Sequence, residues 1–376
     1  NFTEYSDANG TAPGGAIKGA SSRCHVYYFK ITRSTDNVLT EITYTPTSTD
    51  GNGIVTSNVK DFGAKGDNNT DDTTAIQNAI NSLLGGGTGD GGVVYLPPGV
   101  YKTSAPLTFP NNTHSITLKG SSTHMPRAAT SPYNSGSIIR STSATGNAIE
   151  INNSSSIAIT NLAIDHTSSS SGVAIKATSA TTPGDRQGVE IDQVFIMDHS
   201  KGIEFIGYAN SIIRNTEIRN QPDNANSTHA ILLKKGADNR QDQIRLENVI
   251  VEGETPAGSG VPHSHSVGLK VEDWTNSIWV KDCAFLRMTN GIYYDQSMGG
   301  RTPDAGAFHR IENSDVDHCR ANGMFFDGGY AIWVQNCYIG SNGYPSGSVS
   351  ASGLVTGPNF KGTLWVNNAD CRGNSL

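Results

Sequence analysis

No run of apolar residues in the 376-residue chain is long enough to span a membrane, so membrane insertion is not expected. Charge is also scarce. Only 16% of residues are charged and the net charge is −7, which disfavours nucleic acid as a partner. A polyanionic partner would need local basic patches. The five cysteines, Cys24, Cys283, Cys319, Cys337 and Cys371, are odd in number and form no CxxC pair. A disulfide framework is therefore not expected, and buried free thiols are the simpler reading. No signal-peptide pattern opens the chain, and its start at Asn1 reads as processing or trimming. Walker loops, HExxH and a Ser-His-Asp arrangement are missing as well. "GGGTGDGG" (85–92) lacks the Lys-Ser/Thr of a phosphate loop and follows a helix instead of opening one.

What the chain has in quantity is glycine, 42 residues, together with abundant Ser, Thr and Asn. Ile, Val, Leu and aromatics recur along nearly its whole length, which excludes a disordered composition and fits a β-rich protein with many turns. Residues 1–57 form a polar arm or small subregion with two β-like stretches, "CHVYYFKITR" (24–33) and "VLTEITYTP" (38–46). One helix is expected, over 73–84. Ile76, Ala79, Ile80, Leu83 and Leu84 fall on one face of a 3.6-residue period, and Thr70, Asp71 and Asp72 stand where side-chain oxygens cap free N–H groups.

After residue 115 the chain repeats. An apolar-x-polar-x-x-apolar element is centred on Asn161, Gln193, Asn215, Asn248, Asp282, Asn313, Asn336 and Asn368, at spacings of 32, 22, 33, 34, 31, 23 and 32. Between these centres lies a second, mostly Gly-led element: "GVAIK" (172–176), "GIEFI" (202–206), "AILLK" (230–234), "GLKVE" (268–272), "GIYYD" (291–295), "GMFFD" (323–327) and "GLVTG" (353–357). A period in this range marks a solenoid, and both elements alternate with no helical period between them. The expected fold is all-β, a parallel β-helix over 58–376 with an N-terminal capping helix. The Asn or Asp of each turn can stack and hydrogen-bond along the coil axis. Insertions of several residues follow one or the other element, placing them at fixed edges of the stack.

The stretch "NVKDFGAKGDNNTDDTTAIQNAI" (58–80), followed by "GGVVYLPPGVYKTS", resembles the N-terminal signature of the pectate-lyase-like right-handed β-helix superfamily. That superfamily includes pectin-active enzymes, alginate epimerases, some glucanases and many bacteriophage tailspikes. Among these the chain most resembles a tailspike. The resemblance implies a homotrimer in the virion, joined to other tail proteins through its N-terminal side, that binds and cleaves bacterial surface polysaccharide. The "DPH" motif of alginate epimerases is missing. So is a clean acidic calcium cluster beside an arginine base, as a pectate lyase would carry. The chain stops at "NNADCRGNSL", just after another rung strand, without a trimerisation domain; this departs from a complete tailspike and reads as a fragment or a matured chain.

Glycoside hydrolysis needs two carboxylates at a set separation. Stacked rungs are ~4.8 Å apart, so acids in one column on adjacent rungs come close to the separation of a retaining pair. Four residues beyond Gly268, Gly291 and Gly323 stand Glu272, Asp295 and Asp327, with Asp273 beside Glu272; the earlier rungs carry Lys176, Ile206 and Lys234 in the same alignment. Stacked like charges raise one pKa, as a general acid requires. Trp274, Tyr294 and Trp333 are candidate sugar-stacking residues, with one of Tyr293 and Tyr294 inward and the other outward. Arg301 could hold an acidic sugar. His309 or Tyr294 would serve as base in a β-elimination lyase, the alternative activity. A non-catalytic adhesin is the third reading. The competing view of the column is that its acids are solvated turn residues, and their register keeps both readings open. Asp165-His166, Asp198-His199, Glu252 and Asp317-His318 recur on well-separated rungs, so they decorate an edge, and no metal or other cofactor is expected.

Overall fold

A computed structural model describes residues 28–33, 39–45, 48–49, 54–84, 91–123, 136–143, 146–166, 171–179, 188–219, 228–236, 243–253, 266–272, 277–295, 308–343 and 352–374. The two β-like stretches of the arm form an antiparallel pair, Tyr28–Arg33 with Leu39–Thr45. The described residues from Val55 onward belong to a right-handed parallel β-helix, built from one long parallel ladder and a second ladder of nine strands. The insertions between these elements lie in large part outside the described residues.

Each rung has the same logic. A flat-sheet strand, such as His229–Lys234, leads into a strand such as Ile244–Glu252 that bends sharply in its middle. The bend is the Asn-centred element. All eight centres, from Asn161 to Asn368, are left-handed, with φ between 48° and 55°. L-residues resist this region and Asn and Asp resist it least, which is why the repeat shows them there. Their side chains then form ladders: Asn248 Nδ2 donates to Asn215 Oδ1 at 2.9 Å, Asn336 Nδ2 to Asn313 Oδ1 at 3.3 Å, and Asn368 Nδ2 to Asn336 Oδ1 at 2.9 Å. We refer to the bent ladder as the kinked sheet and the nine-strand ladder as the flat sheet.

The core is the inner face of both sheets. Ile175, Ile203, Ile231, Leu269, Ile292 and Met324 succeed one another in one flat-sheet column and all are buried. At roughly 25 cal/mol per Å² of apolar surface removed from water, such columns are the main source of stability. Glycine appears where the two sheets pinch together. A Cβ on Gly291 would stand 2.1 Å from Val316 Cγ1, and one on Gly268 2.9 Å from Phe285 Cδ1. Cys283, Cys319 and Cys337 are buried free thiols that fill the bent sheet's interior, whereas Cys371 is exposed.

The helix runs Thr73–Asn81, shorter than the apolar period implies. Leu83 is nevertheless buried in the turn beyond it. Asp71, more than Asp72, caps it: Asp71 Oδ1 accepts from the Thr73 amide at 3.0 Å. The Asp72 carboxylate instead accepts from the Lys65 and Gly66 amides, at 2.6 and 2.9 Å, tying the helix to the Gly-rich turn. Gln77 covers the edge strand Leu107–Phe109. Its amide donates to the Thr108 carbonyl at 2.9 Å and accepts from the Thr108 amide at 2.8 Å, as a neighbouring strand would. The stretch 58–80 therefore closes the open end of the solenoid.

Candidate functional site

The flat sheet's outer side carries two charged columns. In the first, Ile206, Lys234, Glu272 and Asp295 lie in register on successive strands. Tyr294 pairs with Phe326, and the Asp327 amide donates to the Tyr294 carbonyl at 2.9 Å, which sets Asp327 beside Asp295 on the next rung. The second column, two residues earlier on each strand, reads Lys176, Glu204, Leu232, Lys270, Tyr293 and Phe325. One member of the expected first column is displaced. Thr178, not Lys176, pairs with Ile206. Gly172 stands two residues out of step with the later glycines, and Ala174 occupies the aligned place.

The three acids are not alike. Glu272 is held by Lys234 at 2.8 Å and also by Lys270. Burial alone would raise its pKa, but the hydrogen bonds and charges of the two lysines outweigh that and hold it below the usual carboxylate value. The expected raised pKa from stacked acids is therefore not found at Glu272, which is a poor proton donor. Asp327 is fixed from the other side: Oδ1 accepts from the Asn359 amide and Oδ2 from Asn359 Nδ2, each at 3.0 Å. Tyr293, in the second column, lies beside the acids of the first. Its phenol is shifted upward first by burial, then by the negative charges of Asp295, Asp327 and Glu272. Its ring stacks on Phe325 with centroids 5.2 Å apart and planes 18° apart.

Tyr294 and His309, two expected substrate contacts, are core residues. Tyr294 shares the inward parity of Ile292 and is fully buried, its hydroxyl without a hydrogen-bond partner. Tyr293, of the same parity as Asp295, is the outward ring. His309 belongs to the kinked sheet, where it faces inward and meets Tyr294 edge-on, centroids 5.1 Å apart. Burial pushes its pKa down to about 4 and neither ring nitrogen has a partner, so it has no route to a substrate. Trp333 is also on the kinked sheet, away from the acids of the flat sheet. Asp273, Trp274 and Arg301 lie outside the described residues.

Sequence reasoning missed a cluster at the centre of the flat sheet. His229 Nε2 donates to Glu204 Oε1 at 3.1 Å, and Lys176 Nζ lies 3.7 Å from Glu204 Oε2. Burial pushes His229 down against the pull of Glu204. The result is a neutral imidazole oriented by a carboxylate, with cationic Lys176, Lys234 and Lys270 nearby. The Lys234–Glu272 pairing was readable from register alone. Register alone does not give the His229–Glu204 contact, because His229 pairs with Lys201 and Glu204 with Leu232.

The Asp–His pairs are neither all at an exposed edge nor all on well-separated rungs: Asp165, His166 and His199 are buried, and His166 and His199 stand on adjacent strands. Asp165 binds Arg140 at 2.6 Å, His318 bonds its neighbour Asp317, and His166 meets His199 edge-on at 5.0 Å. Among the described residues no group of three His, Cys, Asp or Glu side chains is placed to hold a metal ion. No helix among them is long and apolar enough to cross a membrane.

Residues 56–360 match the sequence profile of the family described as "Rhamnogalacturonase A/epimerase, pectate lyase-like". A 47-residue segment is 62% identical to "Alginate lyase 7" of Azotobacter vinelandii, over 12% of this chain and 5% of that protein. The chain thus spans about a twentieth of the length of the curated relatives it matches. The A-module of the Azotobacter vinelandii mannuronan C-5 epimerase AlgE4 shares the fold, with a TM-score of 0.52 and 16% identity over 84% of this chain and 95% of that one. The Acinetobacter phage vB_ApiP_P1 tailspike protein aligns with a TM-score of 0.47 and 10% identity over 90% of this chain and 64% of that one.

Proposed function

The chain belongs to the rhamnogalacturonase A/epimerase, pectate lyase-like family, and on that premise we propose that it is a tailspike-type depolymerase cleaving bacterial surface polysaccharide by endo-glycoside hydrolysis. Relatives named as an alginate lyase and a mannuronan epimerase support a polysaccharide as the substrate class. The observation that carries hydrolysis is the adjacency of Asp295 and Asp327 on neighbouring rungs, with the Tyr293 phenol feeling both charges. Asp327, fixed by two hydrogen bonds from Asn359, is placed as the nucleophilic carboxylate, and Asp295 is then the proton donor and acceptor. Tyr293 and Phe325 offer a stacked platform to a sugar ring, and Lys234 and Lys270 position the chain through Glu272. Buried free thiols support assembly in a reducing cytosol, as for a virion protein. A homotrimer, with the N-terminal pair of strands turned to other tail proteins, completes this reading.

One observation favours a second activity. The lysines Lys176, Lys234 and Lys270 beside the oriented His229 could neutralise a uronate carboxylate, the first requirement of β-elimination. The test is depolymerisation of purified capsular, extracellular and O-antigen polysaccharides by the parent, Asp295→Asn and Asp327→Asn. Each variant should lose at least a hundredfold in rate while remaining folded. Undiminished cleavage by both would remove the acidic pair from the mechanism. Products absorbing in the near ultraviolet, the mark of an unsaturated sugar, would assign the lyase instead.

A further inference from the structure

The kinked sheet carries on its solvent side a file of residues that the proposed cleavage site does not use. Arg245, Trp279, Arg310, Trp333 and Trp365 lie in register on five successive strands. Each arginine is placed against a ring. The Arg245 guanidinium sits 4.7 Å from the centre of Trp279 and that of Arg310 6.0 Å from Trp333. Trp333 and Trp365 then stack directly, centroids 4.3 Å apart and planes within 8°. Phe308 adds another ring 5.3 Å from Trp333. Trp279, Phe308 and Trp365 remain 40, 45 and 42% exposed. Large rings in one exposed file are uncommon on a protein surface and mark a place of contact.

The neighbouring file says what the contact is. Glu247, Lys281, Glu312, Gln335 and Asn367 run beside the rings, also in register. Donors and acceptors of both signs alternate, so the strip has no strong charge of its own. Between the two files lies a cleft of about 110 Å³ lined by Glu247, Trp279, Val280, Lys281, Arg310 and Glu312. Trp333 and Trp365 cover each other's faces and Arg245 lies over Trp279, so a ligand meets chiefly ring edges; it needs apolar patches at the rung repeat of ~4.8 Å and hydroxyls directed to one side. An extended pyranose chain has both: C–H-rich ring faces recur at close to this interval, and its hydroxyls take either donors or acceptors. A nucleic acid or strongly anionic polymer would meet Glu247 and Glu312.

We propose that this Arg–Trp file is a second saccharide-binding strip, separate from the flat-sheet acids, that holds a weakly charged pyranose chain. It lies on the other sheet, so it can retain polymer without occupying the cleavage site. It does not depend on Asp295 or Asp327 being catalytic.

Binding is measured on the Asp295→Asn/Asp327→Asn chain, so that cleavage plays no part. The probe is an array of purified bacterial capsular, extracellular and O-antigen polysaccharides with a neutral β-glucan added. Binding to at least one glycan is expected. Adding Trp279→Ala and Trp365→Ala should weaken it at least tenfold, and adding Arg245→Gln and Arg310→Gln severalfold, with unchanged circular dichroism. Unaltered binding after the tryptophan substitutions would overturn the proposal, as would failure to bind any glycan. So would a fall in molecular mass by light scattering with glycan binding intact, since the file would then be a contact between copies of the chain. Failure of the hydrolase reading would show elsewhere, as undiminished cleavage by the aspartate variants.

Discussion

Replacing His309 by isoleucine should stabilise the protein, and the gain should widen in acid. His309 occupies an inward column whose other members are Ile278, Ile332 and Leu364. It is fully buried and neither ring nitrogen has a hydrogen-bond partner. Burial takes its pKa from 6.5 in the unfolded chain to about 4 in the folded one. Between these values the unfolded state binds more protons, so stability falls as pH falls through 6.5 and continues to fall until about 4. At pH 5 the loss from this group works out to about 2 kcal/mol, against a few tenths at pH 7. Removing two unsatisfied nitrogens adds about 1–3 kcal/mol at either pH, less about 1 kcal/mol for refitting a branched side chain. His199, also pushed down by burial, to about 3, is common to both proteins and cancels in the comparison. The assay is urea denaturation of parent and His309→Ile at pH 7 and pH 5, followed by circular dichroism. The variant's advantage should be larger at pH 5 by about 2 kcal/mol. An advantage that does not widen, or a loss at both pH values, would refute the burial argument. A folded variant that no longer cleaves polysaccharide would restore His309 as a catalytic base.

Three further outcomes follow from the same geometry. Asn313→Ala should cost about 1–2 kcal/mol, because φ is 50° there and the side chain bridges Asp282 and Asn336; Asn313→Gly should cost less. Equal thermal denaturation midpoints for the two variants would show that the left-handed corner does not set the residue choice. Tyr293→Ala should raise KM for the polysaccharide severalfold, whereas Tyr294→Phe should leave KM unchanged and remove a buried unsatisfied hydroxyl; the reverse pattern would put Tyr294 in the site. If hydrolysis uses Asp295 and Asp327 on adjacent rungs, their carboxylates stand about 5 Å apart and the product should keep its anomeric configuration, as read by proton NMR. Inversion would point to carboxylates farther apart than this pair.

The coil was legible because its corners impose a backbone that few residues tolerate. Eight left-handed positions drew seven Asn or Asp and one Gln, and the spacing between them is the rung length. The flat-sheet alignment was less secure because its marker, glycine, reports something else. Gly202, Gly268, Gly291 and Gly323 stand where the other sheet approaches, and alanine serves at Ala174 and Ala230, so Gly172 misplaced Lys176 by two residues. Naming Tyr294 as a sugar contact overlooked parity: with Asp295 on the surface, alternation puts Tyr293 there too and turns Tyr294 inward. Trp333 stands close to Asp327 in sequence. Yet "WVQNCYI" is an Asn-centred element, and its place in the repeat already put Trp333 on the kinked sheet.

The charge order along the flat sheet could not be read one residue at a time. Glu272 has the same spacing from its glycine as Asp295 and Asp327, and on spacing alone the three are equivalent. The register separates them. Glu272 follows Lys234 in one file and is flanked by Lys270 in the other, so it enters the column as a neutralised residue. One rung further the second file changes: Lys270 gives way to Tyr293 and Phe325, beside the acids Asp295 and Asp327. An ion pair with lysine lowers a carboxylate's pKa, and an apolar neighbour raises it. A general acid is thus disfavoured at the lysine end of the column, where Glu272 is held below its usual value. If the aspartates cleave, as proposed, the same charge order would orient a polymer, its anionic groups toward Lys176, Lys234 and Lys270 and its scissile bond toward Asp295 and Asp327.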